Sequence, residues 1–170
     1  MLFRNFLVFF LFAAAAFPAS LPVEHRLRLY ETHTGEHLDV VYKLGDHYVP
    51  EGLAELDHFL RDHRTGDVHH YAPRLFDLLS DLTAAVGRAG AEIDVLCGYR
   101  SPWSNELLRR TTTGVAKNSL HMQAEAIDIR LPGTKISVFH KAALALHRGG
   151  VGYYPASNFI HVDVGRVRRW

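Results

Sequence analysis

Apolar residues follow two different periods along this chain, and the switch between them restricts the fold more than any other feature. Leu53, Leu56, Phe59 and Leu60 recur at helical spacing, as do Leu75, Leu78, Leu79, Leu82 and Val86. Such stripes predict two helices that each bury one face. Elsewhere the period falls to two. Residues 26–30 and 38–42 alternate on either side of Thr32-His33-Thr34-Gly35-Glu36, which reads as a hairpin. Residues 93–96 form a short buried strand, and Pro102 opens a helix through Trp103, Leu107 and Leu108. Residues 124–131 alternate again, with Ala126, Asp128 and Arg130 on one side and Ile127, Ile129 and Leu131 on the other. A further striped helix over 136–146 stops at Gly149-Gly150, and strands at 151–154 and 159–164 flank Pro155. Helices come early, antiparallel-looking strands come late, and there is no strand-helix-strand rhythm. The expected class is α+β, a small antiparallel sheet flanked by helices.

The first 20 residues stand apart. An unbroken apolar run over 6–17 follows Arg4-Asn5 and carries four alanines, residues 13–16, near its end. This is the pattern of a signal peptide, either cleaved near Ala16 or kept as an uncleaved anchor. The run is too short for a comfortable membrane span of about 20 residues. Both readings send one domain, residues 21–170, out of the cytoplasm to the periplasm or cell envelope, as an expected monomer.

Hydrophobic residues make up 48% of the 170, enough for a core without disulfides. A formal net charge of +1 gives no basic field for nucleic acid, and Arg166, Arg168 and Arg169 read as a solvated face. Twelve histidines stand against a single cysteine, Cys97. That excludes a Cys-rich zinc finger, so the ligands of any transition metal must be histidines and carboxylates. Cys97 lies in an apolar run and reads as a buried, inert thiol.

His121 precedes Asp128 by seven residues. On one helix they would stand about 10.5 Å apart along the axis, too far for one small ion. With His121 on the turn entering the strand, the two side chains can meet. His161 and Asp163 are two apart on a strand and share a face. Two histidines and one carboxylate would complete a three-ligand set with a fourth position for water, the pattern of a catalytic zinc. Spacing alone favours surface or satisfied core histidines over a metal site.

The surrounding motifs go further. Gly98-Tyr99-Arg100-Ser101, Ser119-x-His121, Ala126-x-Asp128 and the late His161 resemble the D-alanyl-D-alanine peptidase group of zinc enzymes. Within this peptidase M15 group the chain is similar to the MepK-like murein endopeptidase branch, long a domain of unknown function. Leu29-Tyr30-x-Thr32-His33-Thr34-Gly35-Glu36, Arg61-Asp62-His63-Arg64-Thr65-Gly66, residues 159–165 and Val167-Arg168-x-Trp170 carry that likeness. It covers nearly everything after the leader.

The resemblance implies the D-Ala-D-Ala peptidase/hedgehog-type fold and a zinc ion on His121, Asp128 and His161. It also implies hydrolysis of peptidoglycan cross-linking peptides. Arg100 is implied to hold substrate and stabilise an oxyanion, and Ser119 to cap its turn or orient His121. Carboxypeptidase relatives have a Glu three residues before the last ligand histidine, and some others a His two before it; Asn158 and Phe159 stand there. Asp163 is then the candidate base that activates water, or else an acceptor for a histidine N–H. A D,D-carboxypeptidase and a zinc-containing, non-catalytic wall-binding module are the competing readings. His33, His63, His69 and His70 are expected to be solvated or to staple loops. Tyr153 and Tyr154 are either core or cleft.

Overall fold

A computed structural model describes residues 21–170; the expected signal peptide or anchor over residues 1–20 lies outside the described residues. Strands β1 (Glu24–Glu31) and β2 (His37–Leu44) form the expected hairpin. Leu27, Leu29, Val40 and Tyr42 point into the core, while Arg26 on the outer face pairs with Asp39 across the strands at 2.7 Å. A two-residue strand β3 (His47–Tyr48) extends the hairpin edge. Helix α1 (Pro50–Phe59) starts with proline in its first turn and buries Leu56 and Phe59. Helix α2 (Arg74–Ala85) buries Leu75, Phe76, Leu78, Leu79 and Leu82.

Strand β4 (Ile93–Cys97) leads to α3 (Pro102–Thr111), whose first turn is capped by the Ser101 hydroxyl accepting the Ser104 amide at 3.2 Å. Then come β5 (Ala126–Arg130), α4 (Ile136–Leu146), β6 (Gly150–Tyr154), β7 (Phe159–Asp163) and β8 (Arg168–Arg169).

The expected small antiparallel sheet needs correction. All eight strands form one sheet in the order β3-β2-β1-β4-β5-β7-β6-β8, and it is mixed. β1 runs parallel to β4, and β6 parallel to β8. The crossover through α1 and α2 is long enough to return β4 alongside β1 in the same direction. β3 and β8 are two residues each, too short to leave a period in the sequence.

One face of the sheet packs on α2 and α4 through Ile93, Val95, Ile127, Ile129, Ile160 and Val162. Paired antiparallel residues point to the same face. Because Ile127 pairs with Val162 and Ile129 with Ile160, their alternates Ala126, Asp128, His161 and Asp163 face the other way. That second face carries the site. Among the described residues no helix is long and apolar enough to cross a membrane.

Candidate metal centre

Asp128 and His161 are direct cross-strand partners on β5 and β7. His121 reaches them from a short 3-10 turn, Leu120–Gln123, whose entry is capped by the Ser119 hydroxyl accepting the His121 amide at 3.3 Å. Ala124 ends the turn in the left-handed region, at φ 52°, and so redirects the chain into β5. Seven residues of separation thus become side-chain contact through a turn, not a helix.

The three side chains present one donor atom each to a common point. His121 Nε2 lies 3.1 Å from His161 Nδ1 and 3.3 Å from Asp128 Oδ1, and His161 Nδ1 lies 2.9 Å from Asp128 Oδ1. Tetrahedral bonds of 2.0–2.1 Å place neighbouring ligand atoms about 3.3 Å apart. The outer nitrogens are already committed. His121 Nδ1–H donates to the Gly98 carbonyl at 2.8 Å, and His161 Nε2–H donates to Asp163 Oδ2 at 3.1 Å. With both ring protons outside, three lone pairs converge with no hydrogen between them, and only a cation or an added proton relieves that. The donor set and its spacing fit a zinc ion.

The electrostatics follow from the same contacts. Burial disfavours charge on Asp128, but His121 and His161 hold its carboxyl well below the usual range. Burial likewise works against the His121 imidazolium, and Asp128 and Cys97 push it up to about 10.

Asp163 meets the outer nitrogen of the His161 ring, on the side away from the three converging donors. It is fully buried behind His161. Oδ1 accepts the amides of Gly150 and Gly165 at 2.9 Å each, and Oδ2 takes His161 and Arg168, the latter at 2.7 Å. Burial opposes its charge, but His161, the two amides and Arg168 bring it to about 2. Its lone pairs are spent on fixing the ring, the arrangement that orients a ligand histidine and sets its tautomer. Among the cleft-lining residues Asp128 is the only carboxylate.

Arg100 is buried on the cleft wall. Its guanidinium donates to Asn105 Oδ1 at 3.3 Å and Cys97 Sγ at 3.4 Å, and comes within 3.9 Å of Asp128 Oδ2. Its Nε–H has no partner.

Two groups that the sequence left aside join the site. Cys97 is not an isolated core thiol: its sulfur shares a potential ligand group with His121 and Asp128. Val95 pairs with Ile129 and Cys97 with Asp128, so Leu96 is an extra residue that bulges β4 and sets Cys97 opposite the aspartate. Arg168, read as solvated, instead clamps Asp163. No local pattern signals either one. Tyr154 lines the cleft and stacks on Phe159 at 4.5 Å, whereas Tyr153 packs on the core and stacks on His140. Trp170 donates to the Tyr154 hydroxyl at 2.8 Å and lies over Gly152, where a Cβ would meet its ring at 2.8 Å. The cleft has a volume of about 520 Å³, with residues 112–116 on the opposite wall.

Two imidazoles and a carboxylate converging at an open cleft are a donor set of the kind that catalytic metal centres use. The chain belongs to the family described as peptidoglycan L,D-endopeptidase MepK, whose model matches residues 20–170. It is 44% identical over 151 residues to a probable peptidoglycan L,D-endopeptidase MepK of Haemophilus influenzae, covering 89% of this chain and 81% of that protein. It is 41% identical over 151 residues to the peptidoglycan L,D-endopeptidase MepK of Escherichia coli K12, covering 89% and 82%. No solved structure matches the chain.

Proposed function

We propose that this chain is an exported zinc peptidase that hydrolyses peptide bonds between L- and D-configured centres in the cross-links of peptidoglycan. The observation that carries the reading is the triangle of His121 Nε2, Asp128 Oδ1 and His161 Nδ1, no edge longer than 3.3 Å, opening onto a cleft. The family supplies the substrate class: the relatives at 41–44% identity bear the name L,D-endopeptidase. The apolar leader supports export, because the wall lies outside the cytoplasm.

Those three atoms would hold the ion. When bound, zinc supplies Lewis-acid polarisation of a carbonyl and an acidified water. The chain's own groups do the rest. The Gly98 carbonyl and Asp163 hold the His121 and His161 protons on the outer nitrogens, keeping the inner lone pairs free. Arg100 brings positive charge to the wall of the cleft, where charge develops on a scissile carbonyl oxygen. Tyr154, Phe159 and Trp170 form an aromatic wall that positions the peptide and limits water. Asn158, at the position where carboxypeptidases have their Glu, closes a turn in the left-handed region at φ 54°. This favours endopeptidase over D,D-carboxypeptidase action.

The test is digestion of purified peptidoglycan with and without a chelator, with products resolved by mass. Loss of cross-linked dimers that stops on chelation and returns with zinc is expected. Cleavage indifferent to the chelator overturns the metal reading. Removal of only a terminal residue identifies a carboxypeptidase, and bound zinc without products identifies a wall-binding module.

A further inference from the structure

The motifs around His33 and His63 have no part in the centre described above, yet the fold brings them together. Glu31 ends β1 and is buried, His33 lies on the following turn, and His63 lies in the loop after α1. One ligand atom from each of the three lies within 4.8 Å of the other two. The two rings stack at 4.1 Å with planes 16° apart. His33 Nε2–H donates to the carbonyl of the bulged Leu96 at 2.9 Å, which leaves the lone pair on Nδ1. This is the outer-nitrogen tie that a backbone carbonyl gives a ligand histidine. The buried Glu31 carboxylate accepts only the His33 amide, at 3.0 Å, and among the described residues no side chain donates to it. A buried carboxylate with one neutral donor is poorly compensated. Burial, then His33 and Arg64, keep His63 largely neutral, with its pKa down to about 4, so its lone pair is available.

We propose that Glu31, His33 and His63 form a second site, for a divalent transition-metal ion such as zinc, that braces the β1–β2 turn against the loop over 61–67. Two imidazoles and a carboxylate suit zinc and its neighbours rather than calcium or magnesium. Zinc needs neighbouring donors about 3.3 Å apart, a spacing the three can adopt from within 4.8 Å of one another. His33 is exposed and can turn to do so, at the cost of its stack on His63. The brace bears on the cleft from behind. Asp62, next to His63, accepts the Ser101 amide at 2.8 Å beside Arg100, and Leu96 adjoins Cys97. The role is structural and does not depend on the peptidase reading.

The experiment counts zinc per folded chain by mass spectrometry of the metal after zinc loading and dialysis. Two ions are expected in the wild type and one each in His33→Ala, His63→Ala and Asp128→Ala. The double variant His33→Ala/Asp128→Ala should hold none. His33→Ala holding as much zinc as the wild type overturns the site. Should the histidine variants fail to fold, Glu31→Gln, which keeps the side chain's size, decides: one ion supports the site, and two overturn it. An Asp128→Ala chain with undiminished zinc would break the peptidase centre instead, so the two failures are distinguishable.

Discussion

The two ligand groups flank β4, one on the β5 side and one on the β1 side, and they differ in how their donors are held. Asp128 and His161 occupy paired positions on neighbouring strands, and each histidine of that trio has its outer nitrogen tied, so the donors sit within 3.3 Å. Glu31 also ends a strand, but His33 and His63 belong to a turn and a loop, so no strand register holds their donors, which lie within 4.8 Å of one another. A sheet ladder fixes backbone register to a fraction of an ångström, while turns leave side chains slack. Precision of that kind suits chemistry, which needs its groups held within about 0.5 Å. The looser group suits bracing.

The contrast breaks most sharply at the sheet. His161→Ala should remove one edge of the triangle and drop wall hydrolysis to background, with one zinc lost per chain. His33→Ala should lose an ion and keep hydrolysis. Equal loss of hydrolysis in both variants would erase the distinction.

Asp163→Asn comes next. The side chain keeps its size, but Arg168 and the His161 ring lose their charged partner. Zinc affinity should fall about 10–100-fold, with turnover largely recovered at saturating zinc. Competition titration against a chromophoric chelator reads the affinity. Intact affinity with lost kcat would return Asp163 to the role of base.

Asp62→Asn should have the smallest effect and act on the loop side. Asp62 accepts the amides of Arg64 at 2.9 Å and Ser101 at 2.8 Å. Burial raises its pKa, but the neighbouring Ser104 and Ser101 hydroxyls and these amides bring it to about 2. The folded value lies below the unfolded one, so this stabilisation is complete above about pH 4 and fades as pH falls toward 2. Asn should cost about 1–3 kcal/mol at neutral pH and flatten the acid limb of stability, measured by denaturant unfolding across pH. It should also weaken zinc at His63 more than at His161.

Much of this was legible early. Helical stripes at 53–60 and 75–86 and alternation at 26–30 and 126–131 are local consequences of one-sided burial, so α1, α2, β1 and β5 could be read directly. The motif resemblance picked out His121, Asp128 and His161, and the fold sets them side by side. Asp163 was legible as a partner of His161 because residues two apart on a strand share a face. Its task was not, because that depends on Gly150, Gly165 and Arg168 filling its lone pairs.

By itself, then, the sequence determined a mixture of helices and strands, the apolar faces and the histidine and carboxylate candidates, since each is set by residue type and short spacing. The tertiary structure alone decided three other things. It set β1 parallel to β4, brought Cys97 opposite Asp128 through a bulge, and placed Asp163 behind His161, clamped by Arg168. Those outcomes rest on strand register and contacts between distant segments. Only a closed fold, in which nearly all buried polar atoms find partners, selects among the alternatives that local spacing leaves open.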